Sequence, residues 1–355
     1  MSTRADPGGE PFTVSELGER GLIERIRRRF PSRPDVLTVG IGDDAAVAPA
    51  VRGELQVLTT DALVEGVHFE TAYSGFADVG YKALSVNVSD IAAMGATPRL
   101  ALLSLILPDG LGVPDFEALL DGFEHMAAEA KTVVAGGNIT RSPGPLVVDV
   151  TVVGSVRSRR ILTRSGGRAG DALFVTGSVG SAGAGLGWLR AHVGLPVAEP
   201  DDEGMAECVR RHRRPEPRLR LGAVAGRTRA ATACMDLSDG LADAVAQIAE
   251  QSGTGAVIDA AALPMPAAAV RWYESQGTDA VRSAIAAGDD YELLFAIPAR
   301  QRGRFRNLLH HARGVPLTRI GELTADHRLV LRRGDREELF PAGFAHFQES
   351  SRVSS

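Results

Sequence analysis

Apolar residues recur along this chain at two spacings, and those spacings divide it into elements. From Thr13, whose hydroxyl with Glu16 three residues on makes a capping box, Leu22, Ile23, Ile26 and Phe30 follow at helical intervals until Pro31 stops the run. A second helix is predicted over 78–95, where Tyr81, Leu84, Val88 and Ile91 form a stripe ended by Gly95, and a third over 113–130. Strand-like runs lie at 55–58, leading into Thr59, Thr60 and Asp61 at the strand end, and at 100–107, apolar enough to suit a buried strand. Two more lie at 133–141 and 146–154, the latter carrying an unexpected charge at Asp149. In the second half, strands are predicted at 171–176 and 293–297. A short apolar segment at 230–235 leads to a helix over 239–251, and short helices and strands alternate to 347. This interleaving predicts an α/β (α+β) protein of two domains: 12–156, a mixed sheet with helices on one face, and 157–348, an α/β domain, with tails at 1–11 and 349–355.

With 355 residues and 44% hydrophobic content the chain can fill two cores of ordinary size. A net charge of -5 argues against a general nucleic-acid binder, and no run approaches the roughly 20 apolar residues of a membrane helix. Cys208 and Cys234 are the only cysteines and show no CxxC spacing, so neither a disulfide framework nor a zinc site is suggested, and reduced cytosol is the expected setting. Residues 1–11 are polar and acidic, unlike a signal peptide. Lysine occurs only at Lys82 and Lys131 among 39 basic residues, which reads as a base-composition habit.

The chemistry lies in acidic corners set among glycine, serine and threonine. Asp43 and Asp44 sit in the glycine-loosened turn 40–46; Asp61 follows two hydroxyls; Asp90 lies off the apolar stripe of its helix. Asp236, Ser238 and Asp239 stand at a strand-to-helix junction, where helix capping accounts for one acid but not both, and Asp289 with Asp290 repeats the opening theme. So many carboxylates near one point repel unless cations neutralise them, and several Mg²⁺ ions on a nucleoside triphosphate are the economical explanation. Amides at Gly136 and Gly137, beside Asn138, could approach a phosphate, and Arg164 could grip an anion. His68, beside Phe69, reads on its own as a packed residue. The glycine-rich turn 177–185 fits neither a dinucleotide fingerprint nor a Walker loop, so tight helix packing is expected there. Two arginine runs, at 25–29 and 210–218, read as a solvated helix face and as a surface bend unless the second faces an acidic partner.

Seven separated motifs carry a family resemblance: GIGDDAAV (40–47), LTTDALVEGVHF (58–69), YKALSVNVSDIAAMGATP (81–98), GGNITRS (136–142), LTRSG (162–166), DLSDGL (236–241) and GDDYEL (288–293). In this order they resemble the thiamine-monophosphate kinases of the aminoimidazole-ribonucleotide-synthetase superfamily, from about residue 12 to 347. The resemblance implies a two-domain synthetase-superfamily fold with an N-terminal ATP- and Mg²⁺-binding, dimerising domain. It also implies ATP-dependent phosphorylation of thiamine phosphate to thiamine diphosphate with several Mg²⁺ ions in a homodimer. Charge and hydropathy add the expectation of a cytoplasmic protein with no nucleic-acid or membrane partner, and the two-domain fold that of an active site in the cleft between the domains. Carried over by position, the resemblance gives Asp44, Thr59, Thr60, Asp61, Asp90, Asn138, Asp236 and Asp239 as metal ligands. Gly137, Asn138, Arg164 and Ser238 would touch ATP; His68, Asp289 and Phe344 would meet the substrate; Asp44, Asp61, Asp90, Arg164 and Asp236 would carry the catalysis. Asn138 stands where the family motif has aspartate and Asp289 where it has glutamate, and Asp149 is the candidate to restore the charge missing at Asn138. An aminoimidazole ribonucleotide synthetase is the alternative enzyme, and a non-catalytic metal or nucleotide sensor the alternative class.

Overall fold

The capping box at Thr13 forms as its sequence predicts: the Thr13 hydroxyl accepts from the Glu16 N–H and the Glu16 carboxylate from the Thr13 N–H, opening α1 (Val14–Arg29). The computed structural model of the chain describes residues 13–31, 33–194, 200–312, 314–341 and 343. The described residues form two compact units, one within 13–91 and 97–155, the other within 92–96 and 156–343.

The first unit continues with β1 (Leu55–Val64), α2 (Phe76–Ala93), β2 (Thr97–Pro108), α3 (Val113–Ala130), β3 (Val133–Ser142) and β4 (Val147–Val156). The strands form one sheet in the order β1-β4-β2-β3, with β2 parallel to β3 and antiparallel to β4, so the sheet is mixed. Alternation sends Ala101, Leu103, Leu105 and Leu107 of β2 and Val148, Val150 and Val152 of β4 into the core with Phe116, Leu119, Leu120 and Phe123 of α3. The opposite face is less covered: Leu58 of β1 is 67% exposed and Leu102 of β2 39%.

Helix α2 is buried well beyond its predicted stripe, since Lys82, Ser85, Asn87 and Ser89 are buried as well. It crosses α3 at the closest approach two backbones allow. A β-carbon at Gly80 would lie 1.9 Å from the Leu119 carbonyl oxygen, and one at Gly122 1.7 Å from that of Ala77. Gly122→Ala is expected to cost roughly 1–3 kcal/mol, as overpacking of a well-filled core does, read as a lower urea midpoint at unchanged slope. An unshifted midpoint would mean the helices part freely there.

The second unit holds β5 (Ala172–Thr176), α4 (Ser181–Ala191), α5 (Glu203–Arg213), α6 (Leu219–Thr228), β6 (Ala233–Asp236), α7 (Gly240–Ser252) and β7 (Gly255–Asp259). It continues through α8 (Ala267–Ser275), α9 (Ala280–Ala286), β8 (Leu293–Ile297), α10 (Arg302–His310), β9 (Leu317–Thr324), β10 (Leu329–Arg333) and β11 (Arg336–Leu339). Its seven strands run β11-β10-β7-β9-β5-β8-β6, with β7 and β10 parallel and the other pairs antiparallel. Both faces are covered, which is why β8 reads as an unbroken apolar run. Leu294 and Ala296 join a core with α4, α5 and α7, while Leu293, Phe295 and Ile297 join another with Leu221, Val224 and Leu308 from α6 and α10.

Candidate active site

In the first unit the turn 40–46 is closed by Val39 and Val47, whose backbones exchange hydrogen bonds of 3.1 and 2.9 Å. Asp43 and Asp44 project from it, both exposed, with the Asp44 N–H donating to Asp43 Oδ1 at 2.8 Å. The next acids depart from expectation. Thr59, Thr60 and Asp61 do not end a strand but lie in the middle of β1, which runs on to Val64. Pleating therefore parts them: Thr59 and Asp61 share the face of buried Leu63, and Thr60 takes the other. Each face gains its own carboxylate. The Thr59 hydroxyl donates to Asp90 Oδ2 on α2, and the Thr60 hydroxyl donates to Asp149 Oδ1 on β4 at 3.1 Å.

Asp149 and Asn138 lie in one lateral row of the sheet, on either side of Ser104 of β2, which is registered opposite both. Gly137 has a structural reason to be glycine: a β-carbon there would lie 1.8 Å from the Leu103 carbonyl oxygen of the neighbouring strand. His68 is half-buried beyond β1, and its Nδ1 accepts the Val64 N–H at 3.0 Å. That bond puts the proton of the neutral ring on Nε2, making that nitrogen a donor.

In the second unit Asp236 ends β6, buried, and Asp239 occupies the N-cap of α7 without a side-chain capping bond. Capping thus accounts for neither acid. Arg164 is exposed on its loop, its guanidinium donating to Gln247 of α7, whose amide in turn donates to Asp243 at 2.7 Å. Asp289 lies in a tight turn at φ 68, its N–H bonded to the Ser238 carbonyl at 2.8 Å, which ties the GDDYEL turn to the DLSDGL turn. Phe344 falls outside the described residues.

The 210–218 stretch is where sequence reasoning missed most. It is no surface bend. Its Arg218 is buried and grips Glu292 with Nε 2.6 Å from Oε2, while the Thr176 hydroxyl donates to the same oxygen at 2.6 Å. His212 is 2% exposed, with Nδ1 3.3 Å from Asp289 Oδ2. The acidic partner that Arg218 and His212 face is the chain's own GDDYEL turn, while Arg210 and Arg211 pair chiefly with Glu207 and Glu216, and the one available signal was the match of two opposite charge runs.

The glycine turn after β5 likewise serves the chain itself. Gly185 lets α4 pack on α5, where a β-carbon would meet the Cys208 carbonyl oxygen at 2.2 Å, so tight packing is the right reading. The amides at the start of α4 hold a carboxylate: Gly180 and Ala182 N–H groups donate to Asp290 at 2.6 and 3.0 Å. Burial pushes the Asp290 carboxyl up to about 7 against the pull of those amides, and Glu292 and Asp289 push the same way. The folded chain thus keeps a proton that the unfolded chain releases near 3.8, so this group's contribution to stability falls as pH rises through that window and levels above about 7. Asp290→Asn is expected to gain on the wild type between pH 5 and pH 8 in urea unfolding. A constant difference would remove Asp290 as the source.

Among the described residues no three acidic, cysteine or histidine side chains converge as a ready metal cage. The oxygens present still fit Mg²⁺, which favours one or two carboxylates and takes its remaining ligands from phosphates and water. Besides the two hydroxyl–carboxylate pairs of β1, Asn87, one helical turn before Asp90, has its side-chain oxygen buried with no hydrogen-bond partner. That is a hard acceptor of the kind a cation or its water completes. No described helix is long and apolar enough to cross a membrane.

This fold is that of the AIR synthase related proteins: the N-terminal domain model of that family matches residues 42–156 and the C-terminal one 168–334. Within it, the thiamine-monophosphate kinase of Escherichia coli (strain K12) is 38% identical over 332 residues, 93% of this chain and 98% of that protein. A crystal structure of thiamine-monophosphate kinase from Stenotrophomonas maltophilia K279a superposes with a TM-score of 0.78 at 36% identity, covering 87% of this chain and 95% of that one. A structure of AaThiL complexed with AMPPCP and TMP superposes with a TM-score of 0.73 at 32% identity over 96% of this chain and all of that one. The chain belongs to the thiamine-monophosphate kinase family.

Proposed function

We propose that this chain transfers the γ-phosphoryl group of ATP to the phosphate of thiamine phosphate, in line and directly, with Mg²⁺. Near full-length similarity to thiamine-monophosphate kinases, one of them solved with AMPPCP and TMP, carries this reading. The hard-oxygen pairs on both faces of β1 support it. An oxygen of the acceptor phosphate attacks the γ-phosphorus while the bond to the β-bridging oxygen breaks, and ADP leaves with that electron pair. A phosphate monoester is largely ionised above its second pKa of about 6, so the reaction needs no strong protein base. The residues' work is alignment and charge balance.

Asp44, Thr59, Thr60, Asp61, Asp90, Asn138, Asp236 and Asp239 would hold Mg²⁺, which when bound neutralises phosphate charge and orients the reacting oxygens. Gly137, Asn138, Arg164 and Ser238 hold the nucleotide. His68 donates from Nε2 to the acceptor phosphate, and Asp289 also meets the substrate. Asp149, in one row with Asn138, supplies the negative charge an asparagine lacks. Asp149→Asn is accordingly expected to raise severalfold the Mg²⁺ concentration giving half the maximal rate, and an unchanged Mg²⁺ dependence would remove it from the site. The apolar residues on the open face of the first unit's sheet support pairing of two copies there, to be checked by light scattering; a monomeric mass would refute it.

The deciding assay is ADP release with Mg-ATP and thiamine phosphate, free thiamine, formylglycinamidine ribonucleotide or no acceptor. Stimulation by thiamine phosphate, with γ-label found in thiamine diphosphate and none on denatured protein, is expected. Stimulation by the ribonucleotide alone would transfer the chain to the synthetase activity, and label on the protein would replace direct transfer by a phosphoenzyme.

A further inference from the structure

His212 lies at the end of α5, in the last helical turn before Pro215, and is the member of the 210–213 run turned most fully inward. A buried imidazole needs polar company to offset its desolvation, and the company this one keeps includes the Asp289 carboxylate. That carboxylate is 31% exposed, so it spans from the buried ring to solvent. Its other oxygen, Oδ1, accepts from the Tyr291 hydroxyl at 3.2 Å. Its backbone is held too: Asp289 and Tyr291 both adopt left-handed conformations, at φ 68 and 49, and their N–H groups bind the Ser238 and Leu237 carbonyls at 2.8 and 3.1 Å. Non-glycine residues keep such conformations only where the surroundings determine them, and such places cluster at ligand clamps.

We propose that His212 is a positioning residue that fixes the Asp289 carboxylate for the thiamine phosphate. This rests on the reading that Asp289 meets that substrate. His212 touches no substrate itself; its Nδ1 stands at ion-pair distance, 3.3 Å, from one carboxylate oxygen, and the Tyr291 hydroxyl donates to the other. The carboxylate is thereby held in one rotamer before the substrate arrives, and the ordering cost is met in folding instead of in binding. A histidine that merely fills the core would leave substrate affinities untouched or disturb both together.

The test is steady-state kinetics of the full chain, varying thiamine phosphate and Mg-ATP separately. Three variants are compared. His212→Leu removes the ring polarity, His212→Gln moves the side-chain donor to the position of Nε2, and His212→Asn keeps a donor where Nδ1 stands. Leu and Gln are expected to raise KM for thiamine phosphate by about tenfold while kcat and KM for ATP stay within about twofold, and Asn is expected to recover most of the loss. With Asp289→Asn already in place, His212→Leu should add nothing further to KM for thiamine phosphate, because the two act through one contact. Leu or Gln raising neither KM, or both equally, would overturn the proposal; if the Leu variant fails to fold, Gln alone decides. Asp289→Asn without any effect on KM for thiamine phosphate would instead overturn the underlying placement of Asp289.

Discussion

Asp90→Asn is expected to lower kcat by about 10²–10³ while the chain stays folded, the size of loss seen when one preorganised electrostatic group is removed from a reaction site. The substitution keeps volume and can still accept the Thr59 hydroxyl, so β1 and α2 remain joined. What it removes is negative charge beside Asn87, whose buried oxygen already lacks a partner. Because carboxylates in this region are proposed to act through Mg²⁺, the variant should also need more Mg²⁺ for half its maximal rate. Thr59→Ala, which deletes the hydroxyl but leaves the charge, serves as the milder comparison. An Asp90→Asn enzyme with kcat within threefold of wild type would take Asp90 out of the chemistry altogether.

Arg218→Ala is expected to destabilise the second unit by about 3–5 kcal/mol, because it takes from the buried Glu292 carboxylate its hydrogen-bonded counter-charge and leaves the Arg211 guanidinium 3.8 Å away. Burial works against the Arg218 charge, but the hydrogen bond and charge of Glu292, with Glu216, hold its pKa above the usual value. In thermal unfolding the loss corresponds to roughly 10 °C for a unit of this size. The stabilising element is the pair and not either charge, so Arg218→Met combined with Glu292→Gln should recover much of what the single variant loses. A single variant with a melting temperature near wild type would mean that water reaches Glu292.

The helices of the first unit were legible because their signals are local: Thr13 and Glu16 lie three residues apart, and residues 113–130 carry their own periodicity. The core strands 97–108 and 293–297 were legible for the same reason, as apolar runs. β1 was only half legible, since Thr59, Thr60 and Asp61 lower its hydrophobicity, and the pairing that keeps them in a strand comes from β4, about ninety residues on. That missed continuation hid the division of the candidate oxygens between two faces. The acidic corners were visible as composition, but their company was not: Arg218 and Glu292 are 74 residues apart, and nothing local tells an arginine in water from one that grips a buried carboxylate. Asp290 misled for a similar reason, because a second aspartate in a ligand-like motif proves to serve a helix terminus of its own chain.

The two ends of the seven-stranded sheet bear on how the chain behaves when concentrated. A sheet edge is a row of unpaired amides and carbonyls, a template for any extended segment nearby. At one end stands β11, four residues long, with Arg336, Glu337 and Glu338 in succession. At the other, β6 is as short and buried, and the Thr163 carbonyl accepts the Cys234 N–H at 2.9 Å along its outer side. Charge and brevity blunt one edge and a loop of the same chain bonds along the other, so among the described residues neither end offers a long apolar template for ribbon-like polymerisation.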